Sequence, residues 1–227
     1  MKCIIPCAGE SSRMSYLPKY LVRIGDKPLL LHIVDIWKDY VDSFVFILKR
    51  SATYLWEYLP SNSIIVFQDE PNGLADAILQ AEKCVDGKFV VALSDCLHKG
   101  TFIEEMFATS NFNLGVGVWK TDILDEVNKS YLVEAEDERV TRVIEKPDIH
   151  SADISGLSNC GMGTYFLDTR VFDYICNTIV VPGGGDFTDV IQHMIDMGEK
   201  VVPMWFEGKY INVTHPEDLR KAEELLA

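Results

Sequence analysis

The chain has 227 residues, 48% of them hydrophobic and 25% charged, which suits one well-buried core and is short for two. Its 21 Lys and Arg stand against 35 Asp and Glu, a formal charge of −14, and a surface this acidic repels nucleic acid and anionic membranes. There is no signal peptide and no apolar run near the ~20 residues of a membrane helix, so a soluble, cytoplasmic protein with no nucleic-acid or membrane partner is expected.

The chain opens on a short apolar run, Cys3 to Ile5, which reads as a buried strand spanning Lys2 to Pro6. A loop of small residues follows, Ala8-Gly9-Glu10-Ser11-Ser12, then Arg13 and the pair Pro18-Lys19. A strand opening into such a loop turns several backbone N–H groups to one side. That concave row of donors suits an anion, phosphate above all. Gly9 allows close backbone approach because it has no Cβ, and Arg13 and Lys19 can add fixed positive charge at the rim. The same residues also read as an ordinary strand-to-helix turn with Ser11 or Ser12 as N-cap. The loop is neither the Gly-Lys-Ser/Thr phosphate loop nor the G-x-G-x-x-G dinucleotide loop.

Strand and helix then alternate. Pro28 to Trp37 reads as a helix with proline in its first turn. Phe44 to Leu48 is a strand, Ala52 to Tyr58 a short helix stopped by Pro60, and Ile64 to Phe67 a third strand. Leu74 to Cys84 is a helix with apolar residues at Ala77, Ile78, Ala81 and Cys84, and Phe89 to Leu93 is a fourth strand. The alternation predicts an α/β fold, a Rossmann-like three-layer sandwich around a mixed, mostly parallel central sheet. Ligands in such sheets bind beyond the carboxyl ends of the strands, so the Gly9 loop and Asp95 are expected at one crevice.

From Thr101 onward the pattern is mixed. Strands are expected at Gly115 to Trp119, Tyr131 to Glu134, Val140 to Ile144, Gly163 to Leu167 and Val201 to Trp205, with helices at Phe187 to Met197 and Glu217 to Leu226. With no linker or repeat, one domain over residues 1–227 is expected, with residues 1–100 and 101–227 as two halves on the same sheet. The six cysteines (Cys3, Cys7, Cys84, Cys96, Cys160 and Cys176) include no C-x-x-C pair. They read as buried free thiols of a reducing compartment.

Four further stretches have ordinary local readings. Gln68 to Ala77 contains Asn72-Gly73 and reads as a loop opening a helix. Asp95 follows a strand and reads as a turn residue, and Glu145-Lys146 reads as a solvated pair before Pro147. Tyr210 to Leu219 ends in Pro216-Glu217-Asp218, a helix start with acidic residues at the positive end of the dipole.

Taken together these stretches resemble, in order, five motifs of the sugar-phosphate nucleotidyltransferases, the nucleoside-diphosphate-sugar pyrophosphorylases, over residues 2 to about 225. Ala8, Gly9, Ser12, Arg13, Met14, Pro18 and Lys19 match A-G-G-x-G-S/T-R-L/M…P-K, with Ser11 at the last glycine. The resemblance implies that Ala8, Gly9 and Glu10 bind the nucleotide, that Arg13 and Lys19 act in catalysis, and that Gln68 and Gly73 hold the base. An amide donates and accepts in one plane, which suits a pyrimidine edge. It also implies that Asp95 ligates Mg²⁺, with Asn212 where the family has a second carboxylate, and that Glu145, Lys146 and Gly163 bind the acceptor. By the same resemblance, residues 1–100 are the nucleotide-binding half and 101–227 the acceptor-binding half. Gly163 to Phe166 resembles G-x-Y-x-F, and Gly185 to Asp189 resembles a shortened G-E-x-x-x-T-D. No hexapeptide-repeat region follows, so no acetyltransferase activity is expected.

The implied reaction moves a nucleoside monophosphate from an NTP to a sugar 1-phosphate and releases pyrophosphate. Its partners are the NTP and a small phosphate acceptor, and a homodimer is compatible with it. No Ser/His/Asp set is present and none is needed, because a phosphomonoester is already mostly dianionic at neutral pH. Two alternatives stand beside this reading. One is a CTP-dependent cytidylyltransferase for a small non-sugar phosphate such as phosphocholine, for which Tyr131, Tyr165, Trp205 and Tyr210 could supply cation–π faces. The other is a non-catalytic nucleotide-binding subunit, which Asn212 keeps open.

Overall fold

The structure, a computed structural model, describes residues 1–9, 18–70, 72–100, 114–145, 147, 156–179 and 186–227. The elements run β1 (Lys2–Pro6), β2 (Arg23–Ile24), β3 (Lys27–Pro28), α1 (Leu29–Trp37), β4 (Ser43–Leu48), β5 (Ser63–Phe67), α2 (Gly73–Gln80), β6 (Lys88–Ala92) and β7 (Cys96–Gly100). They continue as β8 (Leu114–Thr121), α3 (Leu124–Lys129), β9 (Tyr131–Glu136), β10 (Arg139–Glu145), β11 (Ser158–Asp168), α4 (Val171–Ile179), α5 (Phe187–Asp196), β12 (Val201–Trp205), β13 (Gly208–Asn212) and α6 (Asp218–Leu226).

Nine strands form one mixed sheet in the order β10-β9-β11-β6-β1-β4-β5, with β8 beside β11 and β12 beside β8. β1 pairs in parallel with β4 on one side and β6 on the other, and β4 pairs in parallel with β5. From β6 outward the pairing turns antiparallel, through β11 to β9 and β10. The chain therefore winds from β1 one way to β5, then returns to lay β6 on the other side of β1. That reversal leaves the carboxyl ends of β1 and β6 side by side, where an open α/β sheet has its crevice.

The pleat sorts the apolar run of β1 between two faces. Cys3 and Ile5 join a core with Trp37, Phe44, Phe46 and Val90, beneath α1 and α6. Ile4 joins the opposite core with Val45, Val91, Ile78, Ile175 and Ile191, beneath α2, α4 and α5. Because both faces of the central strands are covered, these strands are almost continuously apolar.

The structure departs locally from the sequence expectations. The α1 helix begins at Leu29, with Pro28 extended just ahead of it (ψ 148°). The segment expected as a helix over Ala52 to Tyr58 winds as a 3₁₀ helix over Arg50–Tyr58, kinked at Ala52. The helix expected to reach Cys84 ends at Gln80 and tightens into a 3₁₀ turn over Glu82–Cys84. Four strands (β2, β3, β7 and β13) are too short or mixed to be found from sequence, and two helices (α3 and α4) stand where none is expected. No helix among the described residues is long and apolar enough to cross a membrane.

One histidine is locked into the core beneath the site. His98 on β7 lies edge-on to Trp37 and Phe206, with ring centroids 6.0 and 5.5 Å away. Burial disfavours its charged form and lowers its pKa from 6.5 to about 4. The unfolded chain takes up this proton first as pH falls, so the contribution is present above pH 6.5 and is lost between there and about 4. Between pH 7 and pH 5 this should withdraw about 2 kcal/mol of stability. Urea unfolding at the two pH values should show a smaller loss for His98→Phe than for the parent protein; equal losses would place the proton uptake elsewhere.

Candidate functional site

A cavity of about 400 Å³ opens at the carboxyl ends of β1 and β6, and Ala8, Gly9, Lys19, Gln68, Gly73 and Asp95 all line it. The chain leaves β1 through Cys7, whose N–H still bonds to Ile47 O at 2.8 Å, so the loop departs from a fixed point. Cys7 and Ala8 are buried and Gly9 is exposed. A Cβ built on Gly9 meets nothing within 4 Å. No described neighbour requires glycine there, and the absent side chain leaves room on the cavity side for a ligand.

Lys19 stands in the 3₁₀ turn Lys19–Leu21, directly after the extended Pro18. Its Nζ lies 3.2 Å from Asp95 Oδ2, with side chains 17% and 23% exposed. Asp95 is held from several sides. Leu93 N donates to Gly163 O at 2.9 Å, and Val213 N donates to Asp95 O at 2.8 Å. The Cys96 thiol contacts Asp95 Oδ1 at 3.5 Å, and the Tyr210 hydroxyl donates to Cys96 Sγ at 3.2 Å. The β7–β13 ladder sets Asn212 opposite Cys96, which brings the Asn212 backbone next to Asp95.

Gln68 and Gly73 close the far wall. Gln68 is buried, and its Nε2 donates to Asp76, which also accepts from Gln80 Nε2 at 3.3 Å. This fixes the Gln68 amide and leaves its carbonyl oxygen and one N–H for a ligand. Sequence reasoning passed over Asp76, which the Gly73-to-Ala77 motif carries at an unspecified position. Gly73 has φ +93°, a conformation that favours glycine at the start of α2.

A second cavity of about 130 Å³ adjoins the first across Leu74 and Leu93. Glu145, Gly163 and Asn212 line it, so two of the three sequence-predicted acceptor residues and the Asn212 position meet there. Glu145 ends β10 opposite Tyr131, and its Oε2 accepts from Thr188 Oγ1 at 3.0 Å. Tyr131, Tyr165, Phe187 and Tyr210 form the aromatic walls, and Asp186 adds a second carboxylate. Lys129 also lines this cavity, with its ammonium 2.7 Å from Asp125 and 3.1 Å from Asp218. Trp205 stands apart, 42% exposed beneath Lys120. Glu10, Arg13 and Lys146 lie outside the described residues.

No lining thiol or phenol has a pKa drawn towards neutrality. Burial pushes the Cys7 thiol up to about 12 and raises Cys96, Tyr20, Tyr131, Tyr165 and Tyr210 as well. These groups stay protonated at neutral pH and serve as donors and walls.

Among the described residues no group of three or more His, Cys, Asp or Glu side chains could hold a metal. The Asp95 carboxylate and the Asn212 amide are nevertheless both oxygen donors, and Mg²⁺ often takes one or two carboxylates and completes its shell with phosphates and water. The residues present fit that ion.

The sequence model of the family described as nucleotidyl transferase matches residues 5–227. The chain is 29% identical over 233 residues to the bifunctional protein GlmU of Methanocaldococcus jannaschii, covering 100% of this chain and 54% of that protein. It thus spans about half the length of the curated relatives it matches. Among solved structures, a UDP-glucose pyrophosphorylase complexed with UDP-glucose superposes with a TM-score of 0.83 at 21% identity, over 98% of this chain and 97% of that one. The inositol-1-phosphate CTP transferase from T. maritima superposes with a TM-score of 0.81 at 19% identity, over 99% and 94%. At these identities the likeness to the solved structures is one of fold.

Gly163 tests the geometry. Its φ is +65°, and a Cβ there would lie 2.8 Å from both Cys96 Sγ and Leu93 Cδ1. Gly163→Ala should destabilise the protein by about 2 kcal/mol or more, from backbone strain and overpacking together. Urea unfolding that shows less than about 0.5 kcal/mol would mean the strand relaxes around the added methyl without cost.

Proposed function

The chain belongs to the nucleotidyl transferase family, and on that premise we propose that it transfers a nucleoside monophosphate from an NTP to a sugar 1-phosphate and releases pyrophosphate. The observation that carries this reading is the Lys19–Asp95 pair, 3.2 Å apart in the wall of the larger cavity, which adjoins the smaller one across Leu74 and Leu93.

In this reaction an acceptor phosphate oxygen attacks the α-phosphorus of the NTP. The new P–O bond forms as the bond from the α-phosphorus to the bridging oxygen breaks, and that electron pair leaves with pyrophosphate. The obstacle is charge. Two like unit charges ~4 Å apart cost about 4 kcal/mol at an effective dielectric near 20. The Lys19 ammonium offsets part of this by moving from Asp95 to the phosphates, and Arg13 is assigned the same role on the preceding loop. Backbone at Ala8, Gly9 and Glu10 cradles the phosphates. Gln68, its amide fixed by Asp76, reads the base edge and favours a pyrimidine. Glu145, Lys146 and Gly163 take the acceptor, Lys146 through its phosphate and Glu145 through hydroxyls. Asp95 and Asn212 would hold Mg²⁺, which supplies positive charge against the developing pyrophosphate when bound with the nucleotide. Positioning and electrostatics then account for the rate without a general base.

A second reading of the acceptor rests on the walls of the smaller cavity. Tyr131, Tyr165, Phe187 and Tyr210 stand there beside Glu145 and Asp186. Aromatic faces with carboxylates suit a cationic headgroup, which favours a cytidylyltransferase acting on a phosphate such as phosphocholine.

Two experiments test these readings. Lys19→Ala should lower kcat/KM for pyrophosphate release by about 10²-fold, near 2.7 kcal/mol of transition-state stabilisation. A loss below about threefold, under 1 kcal/mol, would remove Lys19 from the site. Pyrophosphate release with each NTP against sugar 1-phosphates and cationic headgroup phosphates should single out one acceptor class. Turnover of sugar 1-phosphates supports the first reading, turnover of phosphocholine with CTP alone supports the second, and no turnover with any pair contradicts both.

A further inference from the structure

The loop that carries Asn212 is tied down by a buried ion pair that the reaction does not use. Asp218 is fully buried at the start of α6. Its Oδ2 accepts the backbone N–H groups of Thr214 at 2.9 Å and His215 at 2.8 Å, and its Oδ1 takes the Lys129 ammonium at 3.1 Å. The carboxylate therefore turns back on the loop ahead of the helix. A buried charge is tolerated only with such full pairing, and a buried ion pair is weak evidence for stability on its own. Its placement suggests another use.

Thr214, fixed in this way, points its hydroxyl at the Asn212 side chain, Oγ1 to Oδ1 at 3.0 Å. An asparagine amide can present either its oxygen or its NH₂ group, depending on which end its neighbours hold. A hydroxyl donating to Oδ1 selects one orientation and leaves the oxygen's second lone pair available. Only the oxygen can bind a hard cation, and partners of this kind behind a ligand set both its aim and its affinity. On the far side Lys129 precedes Ser130 and Tyr131, which line the smaller cavity. One carboxylate thus joins the Asn212 wall to the Tyr131 wall.

We propose that Thr214 and Asp218 are positioning residues that aim the Asn212 carbonyl oxygen at the cation site beside Asp95. The proposal rests on the nucleotidyl-transfer reading above, because that reading supplies the cation. It predicts that the neutral amide acts as a ligand through an orientation imposed from behind.

The test uses Mn²⁺ as the probe, read by electron paramagnetic resonance with the αβ-methylene analogue of UTP present at saturation, alongside pyrophosphate release by the parent protein. Thr214→Val keeps the side-chain volume and removes the hydroxyl. It should weaken Mn²⁺ binding about tenfold, while the melting temperature falls by no more than about 4 °C. Thr214→Ser should restore parent affinity. In an Asn212→Ala background Thr214→Val should have no further effect, because the group it aims is gone. The double variant Asp218→Asn/Lys129→Gln removes both buried charges together and should shift Mn²⁺ affinity in the same direction. Unchanged Mn²⁺ affinity in Thr214→Val, an undiminished effect in the Asn212→Ala background, or no Mn²⁺ binding by the parent would each overturn the proposal. If the parent binds Mn²⁺ and obeys this pattern but releases no pyrophosphate with any NTP and acceptor, the transfer reading fails and the positioning role stands.

Discussion

The site depends on one contact, the Lys19 ammonium 3.2 Å from the Asp95 carboxylate. The two residues are 76 positions apart, Asp95 just past β6 and Lys19 in the turn beyond the loop that follows β1, the parallel neighbour of β6. Partial burial strengthens their attraction above that of an exposed pair without isolating them from water. Such a pair can exchange. A triphosphate offers Lys19 more negative charge than one carboxylate does, and the freed carboxylate can then serve a cation. On the proposed reading the pair is the resting state of a site whose working state needs the nucleotide.

The rest of the fold serves to hold Asp95 still. The Leu93–Gly163 hydrogen bond ties its turn to β11, the Val213–Asp95 bond ties it to the loop after β13, and the Cys96 thiol braces the free carboxylate oxygen. The Gly163 position explains its residue type, because any side chain there would strike Cys96 and Leu93. The antiparallel half of the sheet brings Tyr131, Glu145 and Tyr165 to the same edge through β9, β10 and β11, forming a second cavity against the first. On the proposed reading, one sheet sets both the nucleotide site and the acceptor site.

Much of this was legible in the sequence for a physical reason. Central strands covered on both faces must be apolar throughout, so β1, β4 and β6 announced themselves, as did the alternation that makes the sheet parallel. Gly9, Lys19, Gln68 and Asp95 could be named because the stretches that carry them resemble, in order, the motifs of a known family. What was not legible depends on register between distant segments. The β7 strand reads Cys-Leu-His-Lys-Gly and β13 reads Gly-Lys-Tyr-Ile-Asn, too short and mixed to signal strands, yet their pairing puts Asn212 beside Asp95. The α4 sequence Val-Phe-Asp-Tyr-Ile-Cys-Asn-Thr-Ile is rich in residues of weak helix propensity, and tertiary packing overrides that preference. Asp218 read as an acidic residue at a helix start; only its backbone partners reveal that it works backwards on the loop.

The central claim is that Lys19 occupies the Asp95 carboxylate until a nucleotide draws it away, and calorimetric titration of Mg²⁺ tests it most directly. The free protein should give no measurable Mg²⁺ binding, whereas the protein saturated with a non-hydrolysable triphosphate analogue should bind one ion beyond those held by the analogue alone. Equal Mg²⁺ affinity with and without the nucleotide would contradict the account.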